Sequence, residues 1–228
     1  MDFLQDVNFW IGLLKIIWIN IILSGDNAVV IALAARSLPA HQQQKAILFG
    51  SGAAVVLRIG LTLVAAQLLQ LSFLQVVGGL LLLYIGVQLL SEDENEEGHG
   101  SEGGGLMAAV RTILIADVVM SLDNVIAVAA AAKGSNLLLM IGLAISIPLV
   151  IFGSSLMIKL MERFPIIVTL GAALIGWVGG ETIVSDVALK EIAAANPWLH
   201  YVAAAAGAIF VVMLGRALQK RHEVKAGS

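Results

Sequence analysis

The residues best suited to chemistry in this sequence are Ser24-Gly25-Asp26-Asn27 and an echo of them, Ser121-Leu122-Asp123-Asn124, 97 residues further on. Each quartet sits inside a long apolar stretch. A carboxylate beside an amide offers one charged and one neutral oxygen, the donor types that hold hard cations. Upstream, Asn20 and Asp117 stand at matching positions, one neutral and one charged. On a straight helix Asn20, Ser24 and Asn27 share a face, as do Asp117, Ser121 and Asn124. Asp26 and Asp123 then point about 100° away from the asparagine that follows each. A local unwinding lets both members of a pair reach one centre. Gly25 permits it in the first copy, whereas Leu122 favours it less in the second.

The candidate metal ligands are therefore Asp26, Asn27, Asp117, Asp123 and Asn124, with Asn20, Ser24 and Ser121 close by. All the donors are oxygen. The chain has no cysteine, and His41, His99, His200 and His222 lie outside the middles of the apolar stretches. Such a set suits Mg²⁺, Ca²⁺ or Mn²⁺ and argues against Cu⁺ or a thiolate zinc site. Two or three carboxylates suit a divalent ion better than Na⁺, and a proton can occupy the same groups during part of a cycle. Met120 reads as a packing residue. No nucleophile constellation or cofactor-binding glycine pattern is visible, so neither an enzyme nor a prosthetic group is expected.

These residues need a scaffold, and the composition names its class. The 228 residues are 59% hydrophobic, with a mean hydropathy of +0.96; soluble domains are roughly half apolar. Several stretches reach the length of about 20 residues needed to cross a bilayer as helix. Lipid forces the backbone to satisfy itself, and the Ala- and Leu-rich runs lack strict alternation, so an all-α polytopic bundle is expected rather than a barrel. Seven spans are read at 9–35, 46–69, 71–90, 106–132, 136–160, 165–184 and 198–216. The first lacks the basic lead and short apolar core of a cleaved signal. Arg36 to Lys45, with Pro39 and three glutamines, reads as a loop. Residues 91–105 are acidic and Gly-rich and read as disordered. Asp186 to Pro197 has room for a short surface helix, and 217–228 reads as a basic tail. Lys and Arg concentrate on the side that takes the C-terminus, which predicts N-terminus out and C-terminus in.

The two quartets belong to a longer repeat. Residues 20–32 align with 117–129 at an offset of 97, and further on Gly78, Tyr84, Gly86 and Gln88 align with Gly171, Trp177, Gly179 and Glu181 at 93. Spans one to three (9–90) thus repeat as spans four to six (106–184), with span seven extra. Three is odd, so the second copy is inverted, an architecture that secondary transporters use around a midplane site. Charges inside a span cost about 2.5–3.5 kcal/mol each if they face lipid, so Asp26, Arg58, Asp117, Asp123 and Glu181 should face the interior. One Asp-Asn pair would be explained by bonding to a neighbouring helix; two pairs in repeat-related positions point to a site. Arg58 either balances a buried carboxylate or snorkels to a surface. Gln88 and Glu181 are candidates for a gate or accessory site, or interfacial residues.

At these residues the chain resembles a known family. Leu23 to Ala28 and Asp117 to Asn124 are similar to the paired signature motifs of the TerC family of integral membrane proteins, in the lysine-exporter superfamily, and the chain is similar to its YjbE-type bacterial subgroup. The resemblance implies Mn²⁺ export across the bacterial cytoplasmic membrane and carries the family's motif residues onto Asp26, Asn27, Asp117, Asp123 and Asn124. It, and not the donor set, prefers manganese over calcium or magnesium. The alternative role is a non-transporting membrane scaffold in metal or tellurite stress. Expected partners are the divalent cation and the bilayer, with no nucleic acid; self-association into a homo-oligomer stays open.

Overall fold

The computed structural model describes residues 10–11, 13–15, 17–18, 25–91, 102–132 and 136–226. Among them every regular element is helical: α1 (Gly25–Ala35), α2 (Ala40–Leu68), α3 (Leu74–Ser91), α4 (Glu102–Ala132), α5 (Asn136–Arg163), α6 (Ile166–Val184), a 3₁₀ turn (Val187–Leu189), α7 (Lys190–Ala195) and α8 (Trp198–Ala226). Among the described residues, six helices contain segments long and apolar enough to cross a membrane: Ala40–Thr62, Leu74–Ser91, Gly105–Leu122, Met140–Arg163, Ile166–Val184 and Trp198–Arg221. The expected first span, 9–35, lies partly outside the described residues, and α1 is its described C-terminal part.

Several boundaries differ from the sequence reading. The connection expected at 36–45 closes by Pro39, and His41 to Lys45 already belong to α2. Proline is pre-organised for a helix start. The Gln42 and Gln43 amides donate to the Pro39 carbonyl, while Gln43 Nε2 donates to the Leu38 carbonyl at 2.9 Å. One of the three glutamines read as marking a loop thus closes the turn. Ser91 ends α3, and Glu102 to Gly105 begin α4; residues 92–101 of the expected acidic loop lie outside the described residues. Helix α8 runs to Ala226, so the expected tail is largely helical. The link after α6 does hold a short helix, α7.

Helix α1 is the centre of the bundle. Asn27, Ala28 and all of Val30 to Ala35 are buried, and it touches α2, α4, α5 and α6. A short helix that is apolar all round needs cover on every side. The largest interfaces are α6 with α8, α3 with α6, and α2 with α4. Helix α6 packs closely on both flanks because glycine removes the side chain. A Cβ on Gly180 would lie 2.1 Å from the Ala203 carbonyl oxygen, and one on Gly79 2.5 Å from that of Gly179. Outward faces carry Leu48, Phe49, Val56, Leu80, Tyr84, Phe152, Leu170 and Phe210, all exposed, as a lipid-facing surface requires. Hydroxyls bond back within their own helices, as Ser154 to the Val150 carbonyl (2.7 Å) and Thr182 to that of Val178 (2.8 Å).

Polar contacts tie the two ends of the bundle. At one, Arg36 donates to the Leu89 carbonyl in the last turn of α3 at 3.2 Å, where cations complement the helix dipole. At the other, Asp186 is fully buried and receives four backbone amides. Oδ1 accepts from Phe73 (2.9 Å) and Ala188 (2.8 Å), and Oδ2 from Gln75 (2.9 Å) and Val76 (3.2 Å). It caps its own 3₁₀ turn and the start of α3 together. Phe73 takes a φ of 69°, a strained region for a bulky residue, while its amide bonds to that carboxylate. Burial alone would raise the Asp186 pKa, but the amides of Ala188, Phe73, Val76 and Gln75 outweigh it and hold the carboxyl below its ordinary value.

Two outcomes follow from this packing. Gly180→Ala should lower stability by about 1–3 kcal/mol through overpacking, while Gly60→Ala, where a Cβ meets nothing within 4 Å, should be neutral or mildly stabilising; thermal denaturation in detergent separates them. Asp186→Asn leaves two amides without an acceptor and should lower the melting temperature by several degrees. Because the folded pKa of Asp186 is depressed, its stabilisation is complete above the unfolded value of about 3.9 and is lost as pH falls through the folded one. The acid limb of a melting-temperature profile should therefore flatten in Asp186→Asn.

Candidate cation site

The chemistry-bearing residues converge where α1, α2 and α4 meet. Helix α4 is continuous through Asp117, Ser121 and Asn124, so the second motif is not unwound and its expected shared face is retained. Ser121 Oγ donates to Asp117 Oδ2 at 3.2 Å, one helical turn apart. From α2, Arg58 Nη2 donates to Asp117 Oδ1 in a buried ion pair. Arg58 is 5% exposed, Asp117 6% and Ser121 0%. Arg58 therefore does not snorkel; it is the partner of a buried carboxylate. Its Nε is also buried and finds no hydrogen-bond acceptor among the described residues.

From α1, Asn27 is buried at 2% exposure and Asp26 is partly buried. Asp26 Oδ1 accepts from the Asn27 backbone amide at 2.8 Å, and both Arg58 and Asp117 act on it electrostatically. Of the two carboxylates, Asp117 makes the ion pair with Arg58. Asn124 is partly buried on α4. Asn20, Ser24 and the side chain of Asp123 lie outside the described residues. Among the described residues no three His, Cys, Asp or Glu side chains form a metal-binding group; the donors brought together are two carboxylates, an amide and a hydroxyl. Met120 is buried in the core beside Ser121, as its packing role requires. Gln88 and Glu181 are exposed on α3 and α6, unlike the buried group around Asp117.

Sequence reasoning named Arg58 without its partner, because nothing local links positions 59 residues apart. It passed over Asp186 as the start of a link. An aspartate after a helix end signals a local cap, but its reach to α3 has no sequence signal.

A buried pair stripped of one partner leaves an uncompensated charge, at a cost of about 3–5 kcal/mol. Asp117→Leu alone should destabilise the fold by that order, and Arg58→Met with Asp117→Leu should recover much of it. A double-mutant cycle of detergent melting curves measures the coupling.

The profile of the integral membrane protein TerC family matches residues 5–223. The chain is 49% identical over 179 residues to the uncharacterised membrane protein YjbE of Bacillus subtilis, covering 78% of this chain and 82% of that one. It is 27% identical over 215 residues to YkoY of the same organism, covering 85% of this chain and 64% of YkoY. Against the inner membrane protein YoaE of Escherichia coli (strain K12) it is 29% identical over 190 residues, 75% of this chain and 36% of YoaE. No solved structure matches the chain. With its apolar helices, its paired motifs and a profile match over nearly its whole length, the chain belongs to the TerC family of integral membrane proteins.

Proposed function

We propose that this protein is a secondary transporter that exports divalent cations, Mn²⁺ foremost, across the bacterial cytoplasmic membrane. The observation that carries this is the buried ion pair of Arg58 with Asp117, set where α1, bearing Asp26 and the buried Asn27, packs on α2 and α4. Intramembrane ionisable residues facing a bundle interior mark ion pathways. The donors are oxygens, as a hard divalent cation requires. Manganese within that class comes from the resemblance to the family.

The scaffold proposed is seven spans, with α1 to α3 repeated in inverted orientation as α4 to α6 and α8 added. Helix pairing supports it. If α1, α2 and α3 correspond to α4, α5 and α6, then α2 against α4 corresponds to α5 against α1, and both interfaces are extensive. The contacts of α1 with α4, α2 with α5 and α3 with α6 are each self-corresponding, and α1 with α6 corresponds to α4 with α3, in keeping with a two-fold relation between the halves. The cation is captured between the halves, and rocking of one half against the other exposes it to each side in turn. Asp26 and Asp123 bind it directly, Asn27 and Asn124 add neutral oxygens, and Asp117 coordinates it or carries a counter-proton. The N-terminus lies outside and the C-terminus inside, following the Lys and Arg bias. The protein acts without a prosthetic group and is not an enzyme.

Reconstitution into proteoliposomes with a fluorescent Mn²⁺ reporter tests this reading. Wild-type protein should carry flux, and Asp26→Ala with Asp123→Ala should abolish it; flux that survives the double substitution rejects the site. Deleting residues 92–104 should leave most of the flux. If cells instead lose metal tolerance on that deletion while the protein never moves Mn²⁺, a scaffold role replaces transport.

A further inference from the structure

We infer that Arg58 is a tethered counter-cation, which holds Asp117 while the site is empty and yields it to the incoming divalent cation. This rests on the transport reading above and concerns how the same site is regulated.

Three observations carry it. First, two buried charges that lack a charged counterpart in the other motif-bearing half are paired with each other. Asp117 has the neutral Asn20 as its counterpart, and Arg58 has the apolar Ile151 at the offset of 93; the structure joins Arg58 to Asp117. Second, both Asp117 oxygens are taken by the protein, Oδ1 by Arg58 and Oδ2 by Ser121. Each oxygen keeps a second lone pair, but a cation bound at Asp117 Oδ1 would lie beside the guanidinium, so the two positive charges compete for one carboxylate. Third, among the described residues the arginine uses less of its donor set than its chemistry allows. A guanidinium carries five donors in a fixed fork that suits bidentate contact with a carboxylate, yet the bond to Asp117 comes from Nη2 alone and Nε is buried with no acceptor among the described residues. A permanent strut would use the fork; a group that must let go need not.

The charge consequence is specific. Arginine stays protonated in proteins, so its displacement releases no proton. The site exchanges a fixed positive charge on a side chain for a mobile one in the cavity. With Arg58 on Asp117 the empty carrier has one carboxylate already neutralised and can reorient without cargo. With a cation bound, Arg58 swings off and the cargo takes over the neutralisation. Removing Arg58 should thus have opposite effects on binding and on net turnover, because the competitor and the agent of empty return are the same residue.

The test uses full-length protein and Mn²⁺ alone as the probe. If Arg58 occupies Asp117 about nine-tenths of the time, Arg58→Gln should bind Mn²⁺ about tenfold more tightly, with a matching fall in KM. It should slow net efflux, which needs empty return, while Mn²⁺–Mn²⁺ exchange across the membrane persists. Arg58→Lys, a shorter point charge, should fall between the two. Mn²⁺ should also raise the melting temperature of Arg58→Gln more than that of wild type. Unchanged or weaker affinity in folded Arg58→Gln would make Arg58 a static strut and overturn the inference. If Arg58→Gln does not fold, Arg58→Lys decides by the same criterion. A wild-type protein that neither binds nor moves Mn²⁺ rejects the transport reading and this inference together, a result distinct from wild-type flux with an indifferent Arg58 series.

Discussion

Two opposite charges, Arg58 and Asp117, meet in the interior of an apolar helical bundle, and the rest of the structure is constrained by that placement. Neither charge could stand alone there, since lipid and packed side chains offer no solvation. The pair therefore requires α2 and α4 to lie side by side at one register, and their interface is among the most extensive in the molecule. Helix α1 packs against both of them and buries Asn27. The apolar remainder of α1 then needs cover from α5 and α6 as well. A central helix buried on all sides is the outcome of bringing a polar motif to the middle of a membrane protein.

The surrounding framework is rigid where the site is polar. Helix α6 is held between α3 and α8 by glycines whose backbones nearly touch those of the neighbouring helices. Such contacts let dispersion and close packing bind helices where no hydrophobic force separates lipid from side chain. Asp186 couples the end of α6 to the start of α3 through four amides, satisfying backbone donors that a helix start leaves open. Arg36 serves the opposite end by capping α3. At the site, by contrast, the extensive α2–α4 interface carries a buried ion pair, Arg58 with Asp117.

How much of this was legible beforehand differs by residue. The bundle class, six of the spans and the link helix α7 follow from apolar length and composition, because a membrane leaves the backbone only its own hydrogen bonds. The shared face of Asp117 and Ser121 follows from helix geometry, and the Ser121 to Asp117 bond realises it. The turn at Pro39 was misread because three glutamines look like a loop by polarity, whereas Gln43 caps the turn with its own side chain. The length of α8 was underestimated because its last turns are polar and helical at once.

By itself the sequence determined which residues are polar among apolar ones and that they recur at a fixed offset, since period and composition are local properties of a chain. It left two questions that only the tertiary structure decided. One was the partner of Arg58, because an ion pair between positions 58 and 117 exists only when α2 and α4 pack in register. The other was the role of Asp186, whose carboxylate meets the α3 amides of Gln75 and Val76 across more than a hundred residues of chain. Both are long-range contacts between charged or polar groups removed from water, and no local pattern encodes which distant group will satisfy them.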